Sequence, residues 1–178
     1  MVVVPFSTSP PYQSVVFAPD AFSLDAPAVL IVNPDMGQLS NSATDCNASY
    51  DLRVGDKFKD HRDATIQELK DGDEIELLPG NAVIIQTEEW VKFPRRLFGQ
   101  ILPRVSLLQL EIANTPSKVD PGYTGHLLIT TFNHGKRTET LRRGHPFCSL
   151  HLLTVEDGVR PYNRESKQIT GLPRSRTL

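Results

Sequence analysis

The stretch KVDPGYTGHLLITTFN, residues 118–133, joins a tight turn to a strand-like run. Pro121–Gly122 suits the centre of a type II turn, because proline presets φ and glycine accepts a positive φ. Asp120 stands directly before that turn, where an acid commonly hydrogen-bonds the backbone two residues further on. Turn chemistry alone therefore favours a capping role for Asp120, but it leaves a catalytic role open.

Short apolar runs bounded by turn residues continue on both sides of this stretch. They are rich in Val, Ile, Leu, Thr and Phe, which is typical of the strands of an all-β barrel or sandwich. The other runs are AVLIV, SYDLRVG, EIELLPG, NAVIIQT, LFGQIL, LLQLEIA and PFCSLHLLTV. Pro79–Gly80 between two of them predicts a hairpin. The stretch ATIQELKDG is the only modest helix candidate, and it fits a strand equally well.

Length and composition bound the possible functions. A chain of 178 residues with 39% hydrophobic and 22% charged residues is typical of a single globular domain. Its net charge of -2 gives no global reason to expect nucleic-acid or membrane binding, and no apolar stretch is long enough for a membrane span. Cys46 and Cys148 lie far apart without zinc-ligand spacing, so we expect no protein-built metal site and a reducing, cytoplasmic setting.

Charge is distributed unevenly along the chain. No Lys or Arg precedes Arg53, whereas the last nineteen residues carry four Arg and one Lys. We therefore expect three parts: an extended N-terminal segment over residues 1–48 that packs on the barrel, a β-barrel core over 49–157, and a basic tail over 158–178. Such a tail can close over an anion.

Several motifs resemble those of dCTP deaminases and trimeric dUTPases, and they occur in the same order. SYDLRVGDKF is similar to the first motif, a strand whose Asp supports the active site. The stretch ELLPGNAVIIQTEEWVKFPRRLFGQILPRVSLLQL is similar to the core that leads to an Arg-Ser-Ser-Leu-Ala-Arg phosphate-binding motif. KVDPGYTGHLLITTFN and LRRGHPFCSL resemble the next two motifs, and RPYNR has a counterpart near the C-terminus of the deaminases.

The resemblance covers about Ser49 to Arg164 and is nearest to dCTP deaminase. It implies an all-β protein with a distorted, jelly-roll-like β-barrel of the dUTPase type. It also implies a homotrimer with active sites at the subunit interfaces, and a deoxynucleoside triphosphate as the ligand.

Several positions depart from the deaminase pattern. Thr130 stands where deaminases carry the Glu that activates water, and a hydroxyl cannot take a proton from water near neutral pH. Val105 and Gln109 replace a Ser and an Arg of the phosphate motif, and Ser149 replaces a Gln. Two residues are also missing between Gln109 and Thr115, in the hairpin that reads the base. These changes argue against ordinary dCTP deaminase activity.

A substitute for the missing Glu would have to come from elsewhere in the chain. Glu111 lies near the shortened hairpin, and Glu88 and Glu89 lie on a neighbouring strand. Surface carboxylates are common, so their presence alone does not predict a catalytic role.

The dUTPase features of the third motif are kept. In dUTPases its Asp activates the water that attacks the α-phosphorus, and the Tyr three residues on packs under the deoxyribose; Asp120 and Tyr123 match both. Mg²⁺ would be held mainly by the substrate triphosphate. The resemblance makes Asp120 the catalytic candidate. It implies these substrate-binding residues: Asp51, Arg104, Ser106, Thr115, Lys118, Tyr123, Ser149, Tyr162 and Arg164.

Three functions remain open at this point. Our first expectation is a deoxynucleoside triphosphate pyrophosphatase of the dUTPase type, which converts dUTP to dUMP and pyrophosphate. The combined changes at positions 105, 109, 130 and 149 favour a catalytically inactive nucleotide-binding homologue instead. A divergent dCTP deaminase is the third. The chain lacks the Gly-rich arm that closes over the substrate in dUTPases, and the basic tail could take its place.

Overall fold

Strands form most of the part of the chain that the structure describes, as the short apolar runs predict. The structure, a computed structural model, describes residues 3–4, 15–16, 22–25, 28–39, 48–63, 65–156 and 160–162. Within those residues lie one short helix, α1 (Val105–Leu108), and the strands β1 (Val3–Val4), β2 (Val15–Val16), β3 (Val29–Val32), β4 (Tyr50–Asp60), β5 (Gln67–Glu68), β6 (Glu74–Leu77), β7 (Ala82–Lys92), β8 (Leu97–Pro103), β9 (Ile112–Asn114), β10 (Ser117–Val119), β11 (Thr124–Asn133), β12 (Glu139–Arg142) and β13 (Pro146–Thr154).

One large sheet forms the barrel. Its main path runs β10-β8-β13-β4-β7-β11-β9, and all of these neighbours are antiparallel. β1 pairs with β13, β3 with β7 and β5 with β4, while β2 lies parallel to β3. β6 and β12 form a separate two-stranded sheet. The predicted all-β, dUTPase-type barrel is confirmed.

Alternation of side chains along the strands fills the barrel interior. In β11, buried and half-buried residues alternate along the whole strand, and Leu127 and Ile129 join the core. Gly99 in β8 marks close packing against core side chains, because a Cβ there would lie 2.9 Å from both Phe93 and Val119. Glycine at this position therefore lets β8 and β10 approach the core closely.

The predicted hairpin at Pro79–Gly80 is wrong, although the turn itself is present. Gly80 has a φ of 70°, as such a turn requires. The two flanking strands do not pair with each other: β6 pairs with β12, and β7 pairs with β3, β4 and β11. The N–H of Gly80 donates to the carbonyl of Asn133 at 2.9 Å, which ties the turn to the end of β11. The turn thus connects two different sheets.

The run LLQLEIA is not one continuous strand. Its first residues end α1, and its last residues begin β9. Glu111 separates them with a φ of 60°, which is rare for a residue with a Cβ and stops regular structure. In the run ATIQELKDG, the described residues contain β5, so the strand interpretation is the correct one.

Described parts of the N-terminal segment attach to the barrel. β3 extends the sheet beside β7, and Leu30 packs with Val16 and Trp90 in a small second cluster. The side-chain amide of Gln38 binds both the N–H and the C=O of Asp51, at 2.7 and 2.9 Å. This attachment fixes the start of β4. The part boundaries at residues 48 and 157 remain predictions. The helix found in the described residues is too short to span a membrane.

Candidate functional site

The turn that contains Asp120 is of the predicted type, but its carboxylate does not cap it. Gly122 has a φ of 80°, and the N–H of Tyr123 donates to the carbonyl of Asp120 at 3.0 Å, which closes the turn. The N–H of Gly122 donates to the carbonyl of Pro94 instead of to the Asp120 carboxylate. That carboxylate accepts from Lys118 Nζ at 2.8 Å. The capping interpretation of Asp120 is therefore wrong.

A cleft of about 170 Å³ lies beside this turn, between β10 and β11. It is lined by Ile101, Ser117, Lys118, Val119, Tyr123, Leu127, Leu128, Ile129 and Tyr162. β10 pairs with β8 on its other side. β11 pairs with β7 over most of its length, and β9 joins its second edge only at residues 131–133. The facing backbone edges of β10 and β11 can therefore bind the polar edge of a planar ligand.

Two tyrosines close one end of this β10–β11 cleft. The rings of Tyr123 and Tyr162 lie 5.5 Å apart and are tilted by 57°. The N–H of Tyr162 donates to the carbonyl of Pro121 at 2.6 Å, and the Tyr123 hydroxyl donates to the carbonyl of His126 at 2.5 Å. Burial and the neighbouring Tyr162 raise the pKa of Tyr123 to about 12, so its phenol stays neutral. Arg164 lies outside the described residues.

A second group of candidates surrounds the start of β4, which we call the Asp51 cluster: Asp51, Arg104 and Ser149. Arg104 Nε lies 2.8 Å from Asp51 Oδ2, and the Ser149 hydroxyl donates to Oδ1 at 2.5 Å. Asp51 and Ser149 are direct partners in the β4–β13 pairing. Arg104 also donates to the carbonyl of Pro146 at 3.0 Å. Part of the guanidinium remains to bind an anion.

The two groups of candidates lie at opposite ends of β8. Val119, which precedes Asp120, pairs with Gly99, whereas Arg104 directly follows the far end of the strand. At about 3.3 Å per residue, the separation along β8 is roughly 20 Å. Ser106 in α1 is exposed beside Arg104. The N–H of Thr115 donates to the carbonyl of Thr130 at 2.9 Å, and the Thr115 hydroxyl donates to the same carbonyl. A single copy of the chain therefore does not bring all the predicted site residues together in one site.

None of the three substitute acids lies beside Thr130. Thr130 pairs with Ile84 in β7. Glu111 lies at the other end of β9, where its carbonyl accepts from the N–H of His134. Glu88 and Glu89 lie several residues further along β7, so strand geometry places them more than about 10 Å from Thr130.

Sequence reasoning missed a buried brace, formed by Tyr50, Arg53 and Glu89. Arg53 Nε and the Tyr50 hydroxyl both donate to Glu89 Oε1, at 2.7 and 3.0 Å, and the Arg53 N–H donates to Oε2 at 3.0 Å. Burial raises the pKa of Glu89, and its bonds to Arg53 oppose this rise. Burial also raises the pKa of Tyr50 strongly. The brace fixes β4 on both sides of Asp51, and charged residues inside otherwise apolar strands were its only sequence signal.

This barrel, with a cleft between two strand edges and an acid in the adjoining turn, belongs to a member of the superfamily that unites dUTPases and dCTP deaminases. More narrowly, the chain belongs to the dCTP deaminase-like family, whose model matches residues 35–155. The match includes both the Asp51 cluster and the Asp120 turn. Its functional class is therefore nucleotide processing.

Individual relatives come from both branches of the superfamily. The dCTP deaminase of Colwellia psychrerythraea is 27% identical over 166 residues, which cover 79% of this chain and 81% of that protein. The deoxyuridine 5'-triphosphate nucleotidohydrolase of Gloeothece citriformis is 32% identical over 98 residues, which cover 53% and 68%. The chain spans only 47% or 48% of the length of three Pyrobaculum dCTP deaminases.

The fold is also similar to solved structures. The 2'-deoxycytidine 5'-triphosphate deaminase of Agrobacterium tumefaciens superimposes with a TM-score of 0.56 at 20% identity. The superposition covers 68% of this chain and 42% of that one. At this identity the likeness supports the fold alone.

Proposed function

We propose that this protein is a deoxynucleoside triphosphate pyrophosphatase of the dUTPase type, which converts dUTP to dUMP and pyrophosphate. The observation that carries the proposal is the position of Asp120. Its carboxylate does not cap the turn and binds Lys118, which lines the cleft between two open strand edges. A turn acid with only a capping role would bind the turn itself.

In this proposal the β10–β11 cleft holds the base and the sugar. The open edges of β10 and β11 supply N–H and C=O groups in the plane of an inserted pyrimidine. These backbone groups would hydrogen-bond the polar edge of the base and so select it. Tyr123 packs against the deoxyribose, and its hydroxyl is already bound to the carbonyl of His126. Its ring is thus held in place, which disfavours a substrate with an additional 2′-hydroxyl.

Asp120 would position the attacking water and take its proton. The water oxygen forms a bond to the α-phosphorus, the bond from that phosphorus to the bridging oxygen breaks, and pyrophosphate leaves with the electron pair. The Lys118 ammonium lies 2.8 Å from the carboxylate and would hold it in position beside the water. Phosphoryl transfer needs mainly such positioning together with cationic donors.

The cationic donor would come from the Asp51 cluster of another copy. Arg104 lies roughly 20 Å along β8 from Asp120, too far for both to contact one phosphorus. Beside Arg104, the apolar side chains of Val105, Leu108 and Leu110 are 70%, 47% and 49% exposed, as expected of a surface covered by another subunit. We therefore include in the proposal a homotrimer with sites at its interfaces, over which Tyr162 and the basic tail with Arg164 would close.

The proposed cofactor is Mg²⁺. The described residues contain no group of three or more His, Cys, Asp or Glu side chains arranged to hold a metal ion. Mg²⁺ prefers oxygen ligands and retains waters, so the oxygens of a triphosphate would hold most of its coordination shell. When bound, the ion neutralises charge on the phosphates.

The experiment that tests the proposal separates the products of one incubation. Purified protein with Mg²⁺ is given dUTP, dCTP, dTTP or a ribonucleotide, and pyrophosphate and ammonia are measured in parallel. We expect dUMP and pyrophosphate from dUTP without ammonia. Ammonia from dCTP would show instead that Thr130 has not abolished deamination.

A second candidate, a catalytically inactive nucleotide-binding protein, is favoured by one observation. The carboxylates of Asp120 and Asp51 are both already engaged, by Lys118 and by Arg104 with Ser149. Tight binding of one nucleotide with no product from any of them would support this candidate and reject the pyrophosphatase.

A further inference from the structure

A second and larger cleft, of about 380 Å³, opens on the outer face of the barrel around β7. Its lining shares no residue with the β10–β11 cleft or with the Asp51 cluster. We call it the β7 cleft, and it is lined by Val32, Asn33, Asp56, Lys57, Gln86, Thr87, Glu88, Trp90, His126 and Arg143. Two irregularities of strand pairing, between Val54 and Phe58 and between His126 and Leu128, adjoin it. Such bulges are common beside binding sites.

One wall of the β7 cleft is a row of three side chains across adjacent strands. Trp90 pairs with Val32 of β3 on one side and with His126 of β11 on the other. His126 Nδ1 lies 2.9 Å from the carbonyl of Thr87. Because a carbonyl only accepts, Nδ1 carries the proton, and this bond fixes the imidazole. The indole and imidazole rings therefore give a planar ligand an aromatic surface for stacking.

The lining also contains two carboxylates that neutral amides hold in place. Gln86 Nε2 donates to Asp56 Oδ1 at 3.1 Å, and Asn33 Nδ2 donates to Glu88 Oε1 at 2.7 Å. The second oxygen of each carboxylate carries no hydrogen bond from any described residue. Arg143 Nε, at 3.9 Å from Glu88 Oε2, is beyond hydrogen-bond distance. Two acceptors are thus left for N–H groups of a ligand.

The charged side chains that line the β7 cleft sum to a net charge of zero. Asp56 and Glu88 carry two negative charges, and Lys57 and Arg143 carry two positive ones. Arg143 is further engaged by Asp71 at 3.1 Å. A balanced lining does not favour a triphosphate, whereas it suits a neutral ligand. Carboxylates are also the usual partners of the amino group of cytosine, and uracil presents a carbonyl at that position.

We propose that the β7 cleft binds a nucleoside whose base carries an exocyclic amino group. The base stacks on Trp90, and its amino group donates to the carboxylates of Asp56 and Glu88. This site is additional to the proposed pyrophosphatase site and does not depend on it, because the two clefts share no residue.

The test uses Trp90 as the reporter. It is the only tryptophan of the chain, so fluorotryptophan labelling gives a single fluorine NMR signal from this cleft. The full chain is titrated with deoxycytidine and, separately, with deoxyuridine, which differ in the amino group. We expect a saturable shift with deoxycytidine and roughly tenfold weaker binding of deoxyuridine, about 1.4 kcal/mol. Equal binding of the two, or no saturable shift with deoxycytidine, deoxyadenosine or deoxyguanosine, overturns the proposal.

Matched variants locate the binding. Glu88→Gln keeps the oxygen that accepts from Asn33 and removes one acceptor, so we expect roughly tenfold weaker deoxycytidine binding. Glu76→Gln makes the same chemical change on an exposed side chain of β6, outside the cleft, and is expected to have no effect. Lys118→Ala alters the β10–β11 cleft and is also expected to leave the shift intact. A shift lost in Lys118→Ala but kept in Glu88→Gln, or one reproduced by inorganic pyrophosphate alone, would reject the nucleoside site.

Discussion

Asp120 and Glu89 are both acids paired with a cation, yet their surroundings differ. The Asp120 side chain is 36% exposed beside the β10–β11 cleft, and its partner Lys118 is more exposed still. Glu89 is fully buried and is held by Arg53 and Tyr50. Water and a ligand can reach the first carboxylate and not the second. Both acids have an ion-pair partner, so the ion pair does not distinguish them. Their exposure does: a carboxylate in an open turn can meet a ligand, and one buried on a strand can only stabilise the fold.

The largest effect is expected from Asp120→Asn. The amide keeps the shape of the side chain but cannot accept a proton, so pyrophosphate release from dUTP should fall roughly 10²- to 10⁴-fold. The free energy of unfolding should change by less than about 0.5 kcal/mol, because the side chain is partly exposed. Steady-state kinetics and urea unfolding measure both quantities. Unchanged turnover would remove Asp120 from the catalytic role.

Glu89→Ala should give the opposite result. It leaves the Arg53 guanidinium and the Tyr50 hydroxyl without their buried partner, and breaking such a pair costs about 3–5 kcal/mol. Urea unfolding at a fixed protein concentration measures the loss, with Glu88→Gln on the adjacent outward position as the control. A loss below about 1 kcal/mol would show that the brace contributes little to stability.

Asp60 is an intermediate case, a largely buried acid held by its local partners. Hydrogen bonds from Arg62 lower the pKa of Asp60 to about 2 in the folded chain, from an ordinary value of 3.8. Its contribution to stability should therefore be complete above about pH 4 and disappear as the pH falls toward 2, a loss of about 1–2 kcal/mol. Unfolding measured across that range should show a smaller pH dependence in Asp60→Asn. An identical dependence in both proteins would assign the effect to other carboxylates.

The smallest effect is expected from Lys118→Ala. An exposed ion pair contributes up to about 1 kcal/mol, so the free energy of unfolding should change little. If the proposed function is correct, turnover should also fall less than in Asp120→Asn, since the carboxylate remains. Turnover abolished as completely as in Asp120→Asn would mean that the lysine itself acts on the substrate.

Local patterns were sufficient to predict most of the strands and the Asp120 turn. Alternation in GHLLITTFN matches β11, and the Pro121–Gly122 pair matches a turn whose Gly122 has a positive φ. The Pro79–Gly80 turn was equally recognisable, but a turn does not specify which strands will pair. β6 and β12 come together from distant parts of the chain, and no local signal marks that choice.

The family motifs predicted which residues are candidates for the site. They did not predict which of these residues lie close together in the folded chain. The separation between Asp120 and Arg104 follows from the register of β8, which only tertiary pairing reveals. Gln38 was missed for a related reason. Its side-chain amide binds the backbone of Asp51, which lies 13 residues further along the chain. Nothing in the local sequence distinguishes Gln38 from any other polar loop residue.

The pairing of β1 with β13 has a consequence for biosynthesis. Val3 pairs with Leu153, a separation of 150 residues. At roughly 5–20 residues per second, a ribosome needs about ten seconds or more to make β13 after β1 has been synthesised. During that time β1 has no native partner, and the closure of the barrel has to wait for almost the whole chain. Contacts of such high sequence separation fold slowly, so this barrel is expected to close late, after translation of its last strand.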